Sequence, residues 1–387
     1  MKANKMQAAN SARYYRWGSL FPIKTLDDGL KCHNDNFLLL RFLAACMVIY
    51  RHGGAITGGS GFWDIIPWLG WGTDSGKIAV HIFFIVSGFM VTGSYMRRNN
   101  LSEFLWARLL RIFPAYIFCL VLSSLVLGAI YTTESMHEYY MNHGVYHYIF
   151  HNMSMQTNMV WKLPGVFIDN PKRATINGSI WTLPAESRMY LWVALVGLSG
   201  LLSRRWLATT FIVAMLIIGV VRPHSALLMT PDIYLELGGM FALGAICYIH
   251  RDRITVGWLW VLILAISSYS LRSTEIYPYI FAATLAQFCF SFAYSIPWYW
   301  FNRFGDYSYG IYLWGFPMQQ VIAHEFPNLT PIENSLTALP LALTLAVISW
   351  HLIEKQALRM KILPAQFMLT MKMKMRNSSK KIDTPSS

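Results

Sequence analysis

Charge is what this chain has least of. Only 13% of its 387 residues are Asp, Glu, Lys or Arg, about half the share in soluble domains. Acids are the scarcer sign, 19 against 32 Lys and Arg. So little charge excludes a soluble domain with a large core. Cysteine is sparse too. Of Cys32, Cys46, Cys119, Cys247 and Cys289, four lie in apolar runs and none falls at metal-ligand spacing, so they read as packing residues. No fixed-period repeat is present, and no matched pair of Gly- or Pro-broken hydrophobic segments of the kind many transporters carry. No short apolar segment with a cleavage site precedes the first long run, so no removed signal peptide is expected.

Long hydrophobic runs fill the space that charge leaves. Hydrophobic residues make up 55% of the chain and aromatic ones 15%, which predicts an all-α, polytopic membrane helix bundle. The runs predict ten transmembrane helices, near residues 36–54, 78–96, 113–131, 180–202, 206–222, 232–250, 254–271, 279–297, 306–324 and 335–353. Ten spans put both termini on one side. That side then carries twenty-three of the 32 Lys and Arg. The opposite loops carry six, namely Lys77, Lys162, Lys172, Arg173, Arg222 and Arg272. Such an imbalance predicts cytosolic termini and a multi-pass protein of the cytoplasmic (inner) membrane. The net charge of +13 then reflects topology and anionic lipid heads, with no nucleic acid partner. Residues 1–35 read as a cytosolic basic arm, 36–358 as the membrane domain and 359–387 as a disordered basic tail. The longest outer loop, 132–179, is expected to fold over the outer mouth.

Inside the first run, ten residues separate Arg41 from His52. Eleven helical steps return them to nearly one face, about 16.5 Å apart along the axis. A guanidinium and an imidazole on one stripe of an apolar helix imply a hydrated interior, and His52 suits a general base. Arg51 points about 100° away and suits anchoring. In the segment Asn99–Tyr116, Ser102 can cap a short interfacial helix, with Pro114 opening the third span. Arg108 and Arg111 would stand three apart on it. They suit phosphates, those of a substrate or those of lipid heads. Glu186, after Trp181 and Pro184, can support an imidazole or instead pair with Arg188 or Arg173. His143, His147 and His151 recur at i, i+4 and i+8. They can stack on a helix face, and no metal site is expected there. His81 reads as a core residue. Ser308, Tyr309 and Tyr312 carry hydroxyls for a polar pocket or for the aromatic belt.

Seven segments in order resemble the acyltransferase-3 family of integral membrane acyltransferases. They are LLLRFLAACMVIYRH (38–52), VHIFFIVSGFMVTGSY (80–95), FLWARLLRIFPAY (104–116), LPGVFIDNP (163–171), NGSIWTLPAE (177–186), GDYSYGIYLWGFP (305–317) and WHLIEKQAL (350–358). The resemblance implies transfer of an acyl group, often acetyl from acetyl-CoA, to sugars of surface polysaccharides. It implies that Arg41, Arg108 and Arg111 bind the acyl-CoA donor, that His52 serves the transfer, and that Glu186 fills the family's acidic position. His81 stands where many members carry an acid, and Ser187–Arg188 replace the acidic or aromatic residues common after Glu186. The expected function is therefore O-acylation, most simply O-acetylation, of a surface or lipid-linked glycan by cytosolic acyl-CoA, with no metal. The alternative is a transporter of an acyl group or anionic solute, without catalysis.

Overall fold

A computed structural model describes residues 24–59, 64–98, 100–172, 174–221 and 232–362. Most of the expected basic arm and the tail beyond residue 362 lie outside the described residues. The architecture is all-α apart from one two-residue antiparallel pairing, β1 (Lys24–Thr25) with β2 (Thr255–Val256).

A helix stands at each of the ten expected positions. They are α1 (Phe37–Ile56), α2 (Ser75–Arg98), α3 (Leu101–Tyr131), α4 (Leu183–Leu198) and α5 (Arg205–Val221). After them come α6 (Asp232–Ile249), α7 (Trp258–Ser270), α8 (Tyr277–Ser295), α9 (Ser308–Glu325) and α10 (Pro331–Arg359). By length and hydropathy α1, α2, α3 and α10 can each cross a bilayer; α5, α6 and α7 are shorter apolar helices.

Local chemistry sets the boundaries. The Asp64 carboxylate accepts from the Ser75 backbone N–H at 2.9 Å and from its hydroxyl at 2.8 Å, fixing the start of α2. Thr330 and Glu333 form a reciprocal capping box ahead of Pro331, which opens α10. Two expectations about α3 need correction. Asn100 caps it rather than Ser102, its side chain accepting from the Glu103 N–H. The chain then runs through Pro114 without a break. The segment ahead of Pro114 is no separate short helix but the first part of α3, with Phe104, Ala107 and Ile112 buried against the bundle. That packing outweighs the one backbone hydrogen bond proline removes. Ser123–Leu127 in α3 and Trp350–Glu354 in α10 are single π-helical turns.

Helices α2 and α6 cross at backbone contact. A Cβ added to Gly88 would sit 1.9 Å from the Phe241 carbonyl oxygen, and one on Gly244 would sit 2.0 Å from that of Ile85. Small residues permit this approach where apolar surroundings give helices little other reason to associate. Helix α9 lies against α1, α3 and α10 and is buried along most of its length.

The connections gather at two ends. At one, Arg251 donates to Asp27 at 3.0 Å, Arg205 pairs with Asp252 at 2.6 Å, and the Asn302 amide donates to the Asp35 carbonyl at 2.7 Å. We call this the charged end. At the other, the loop end, residues 132–179 fold over α9. Two short helices there, Met136–Met141 and His143–Met153, precede a stretch bridged at Thr132–Val166 and Lys162–Thr175.

Candidate active site

Helices α1, α2, α3, α4, α9 and α10 wall a cavity of about 260 Å³. Arg41, Arg108, Arg111 and Glu186, singled out in three separate parts of the sequence, all line it. Periodicity explains each placement. Arg41 is on the second turn of α1, Arg108 and Arg111 are one turn apart on α3, and Glu186 is on the first turn of α4.

Carboxylates hold two of the arginines. Asp306, just ahead of α9, receives Arg41 Nη1 at 2.8 Å and Arg111 Nη2 at 2.5 Å on one oxygen. Its other oxygen accepts from the Ser308 hydroxyl at 2.6 Å. Glu354, on the π turn of α10, takes Arg111 Nη1 at 3.2 Å and the Ser349 hydroxyl at 3.2 Å. Arg108 differs. Its guanidinium lies 5.7 Å from the Tyr190 ring centroid, and its Nε is buried without a hydrogen-bond partner. Glu186 accepts from Tyr190 at 2.5 Å and from Ser87 at 3.3 Å. It makes no ion pair with Arg188 among the described residues, and Arg173 lies outside them. Arg188 rests over the Tyr234 ring instead.

His52 does not line this cavity. It shares α1 with Arg41, and its ring meets Phe316 of α9 edge-on at 5.1 Å between centroids. Its Nδ1 is buried and unpartnered, and no hydrogen bond joins it to Glu186 among the described residues. Helix α9 lies beside both the cavity and the imidazole. Tyr312 lines the cavity and Phe316 follows one turn later. Tyr312 also donates to the Ser179 carbonyl at 2.5 Å and meets Thr182 at 2.6 Å, tying the Asn177–Glu186 segment to α9.

The remaining candidates take structural places. His81 is buried, with Nε2 3.2 Å from Glu236, which Lys77 also meets at 2.8 Å. Arg51 pairs with Asp74 at 3.3 Å. His143, His147 and His151 follow one another along one helix face, His143 stacked on His147 at 5.9 Å and His147 tilted against His151 at 5.1 Å between centroids. Among the described residues no group of three His, Cys, Asp or Glu side chains is placed to hold a metal. Asp306, Glu354, Ser87, Tyr190 and Lys361 belong to the cavity or its ion pairs and were not singled out in the sequence. A lone acid at the edge of an apolar run was the available signal for Asp306 and Glu354.

An arrangement of three guanidiniums with two carboxylates fixing two of them can receive a polyanion in a defined pose. The chain is 29% identical over 348 residues to an "O-acetyl transferase" of Shigella phage Sf6, covering 84% of this chain and 97% of that protein. It is 27% identical over 372 residues to "Nodulation protein 10" of Rhizobium leguminosarum bv. viciae, covering 85% and 94%. No solved structure gives a significant match. The acyltransferase-domain profile matches residues 34–353, nearly the whole described bundle, and the chain therefore belongs to the acyltransferase-3 family: it is an acyltransferase, moving groups other than aminoacyl groups.

Proposed function

We propose that the protein is an integral, multi-pass O-acyltransferase of the cytoplasmic membrane that moves an acetyl group from cytosolic acetyl-CoA to a hydroxyl of a surface or lipid-linked glycan. The observation that carries this reading is the convergence of Arg41, Arg108 and Arg111 on one cavity. In this reading residues 36–358 are the catalytic membrane domain, and the charged end, with both termini, faces the cytosol. Three features support that side. The basic residues are counted there, anionic acyl-CoA is made there, and the cavity is lined by side chains from that end of α1 and α3.

The donor's phosphates bind the arginines. The slim pantetheine arm then threads between α1 and α9 toward His52, and Phe316 is the side chain it must pass. His52 takes the proton of the acceptor hydroxyl, which enters beneath loop 132–179, and the hydroxyl oxygen attacks the thioester carbonyl. The CoA thiolate leaves toward the cytosol. Glu186, hydrogen-bonded to Tyr190 and Ser87, serves this route from the donor cavity, where it offsets the charge of Arg108.

The test is His52→Ala, expressed in a strain whose chromosomal copy is deleted. Glycan acetylation should fall by roughly 10²–10⁴-fold with normal accumulation in the membrane. Normal acetylation in that variant would remove His52 from the reaction. Comparing glycan masses between the deletion and parent strains reads the acyl group and the acceptor together. No mass difference would overturn the glycan reading.

A further inference from the structure

Two of the four cations in the cavity make no direct ion pair among the described residues. Arg41 and Arg111 each meet Asp306 within 2.8 Å. Arg108 and Lys361 have no carboxylate within ion-pair distance among the described residues. For Arg108 the deficit is acute, because its Nε is buried without a partner.

Lys361 is held in place rather than swept in. It sits on a 3₁₀ turn, Met360–Ile362, that closes α10. The Trp106 indole N–H donates to the Met360 carbonyl at 3.0 Å and pins that turn to α3. The ammonium is half-buried and faces Arg108 and Arg111 of α3 and Arg98 of α2. Burial, and then those guanidiniums, push the Lys361 ammonium down to about 8. Like charges crowded at a cavity mouth, with one buried donor unsatisfied, are costly until an anion arrives. A tail residue that served only lipid contact would be free to reach outward instead.

We propose that Arg108 and Lys361 together form the subsite for the phosphate at the nucleotide end of the acyl-CoA donor, an inference that rests on the acyl-CoA reading above. The thioester must travel farthest toward His52, so the opposite end of the donor stays at the mouth, where the Met360–Ile362 turn stands. Arg41 and Arg111, held by Asp306 and Glu354, are left for the diphosphate along the path of the arm. The turn that closes α10 thereby belongs to the donor site.

The experiment compares CoA with CoA lacking its 3′-phosphate, by calorimetry on the full chain in zwitterionic nanodiscs. Wild type should bind CoA roughly 10–100-fold more tightly than the dephosphorylated form. Lys361→Ala should lose most of that preference and Lys361→Arg should keep it, with unchanged thermal unfolding in both. A preference intact in Lys361→Ala, or absent in wild type, overturns the subsite and leaves the acyl-CoA reading standing. A wild type that binds neither form brings down that reading, and the subsite with it. Nanodiscs with added phosphatidylglycerol distinguish the other source of phosphate. If Lys361→Ala differs from wild type only there, its partner is a lipid headgroup and the proposal fails.

Discussion

At the charged end of the bundle, Arg41, Arg111, Asp306 and Glu354 meet as ions. At the loop end, apart from the partly exposed Lys77–Glu236 pair that meets His81, the buried side chains around α9 meet as neutral amides. Gln319 donates to the Ile49 carbonyl at 2.9 Å, Asn334 to the Gln319 carbonyl at 3.0 Å, and Asn170 to Gln320 at 2.9 Å. These amide N–H groups find acceptors without the cost of desolvating a charge, while Gln319 Oε1 and Asn334 Oδ1 stay buried without a partner, and such neutral groups suit a fixed scaffold. Ions inside an apolar bundle are expensive and are retained where charge itself is used. The contrast fits a polyanionic donor taken at one end and an uncharged acceptor hydroxyl received at the other.

The comparison depends first on sidedness, where the expected effect is all-or-none. In a background lacking the five cysteines, Met141→Cys at the loop end should react with an impermeant maleimide in intact cells. Ser102→Cys at the charged end should react only after permeabilisation. Both positions are exposed. The reverse pattern would put the arginines on the wrong side for cytosolic acyl-CoA.

Next in size is Asp306→Asn. It keeps the shape and strips the shared counter-charge from Arg41 and Arg111. Breaking a buried pair from one side costs about 3–5 kcal/mol, so thermal unfolding in detergent should shift well below wild type and CoA binding should be lost. A variant as stable as wild type would mean that these ions carry no structural weight.

Gln320→Ala should do less, and at the other end only. Gln320 donates to the Lys172 carbonyl at 2.8 Å and the Thr175 carbonyl at 2.6 Å, and accepts from Asn170. Its loss should cost about 1–3 kcal/mol and speed proteolysis within residues 154–175 while CoA affinity holds. A fall in CoA affinity would show that the two ends are coupled.

The smallest effect belongs to Arg251→Ala, whose partner Asp27 is partly exposed. Such a pair contributes under about 1 kcal/mol. Hydrogen bonding from Lys31, and secondarily from Arg251, holds the Asp27 carboxyl below its ordinary value of 3.8. The contribution is therefore full above that value and fades as pH falls through the lower folded one. Amide exchange over residues 26–31 should rise slightly in the variant at neutral pH. It should converge with wild type in acid. A difference that persists in acid would rule out the Asp27 charge as its source.

How much of this was legible depends on the range of the interaction. Helix positions follow from runs of apolar residues, which are local, and a helix stands at each expected place. That Arg41 and His52 share α1, and that the three histidines of residues 143–151 adjoin along one face, follow from helical spacing alone. The partners of Arg41 and Arg111 were not legible. Asp306 and Glu354 arrive from α9 and α10, some two hundred residues away, and no periodicity records that. The cap of α3 was misread because Asn100 and Ser102 are both capping types two residues apart. Only the backbone turn at Asn100, extended at ψ 113°, decides between them. Lys361 read as tail because composition cannot see one indole hydrogen bond.

The π turn at Trp350–Glu354 also has a genetic consequence. A π turn is one residue more than an α-helix needs for the same rise. Removing a single codon from it, at Leu352 or Ile353, would let α10 close as a regular helix, because four α-helical residues turn and rise about as far as five π-helical ones. The helix beyond would keep its direction, and Lys361 its place at the mouth of the cavity. In a random deletion library, loss of one residue here should therefore be tolerated better than loss of one residue from a regular stretch of a helix, which rotates everything downstream by about 100°.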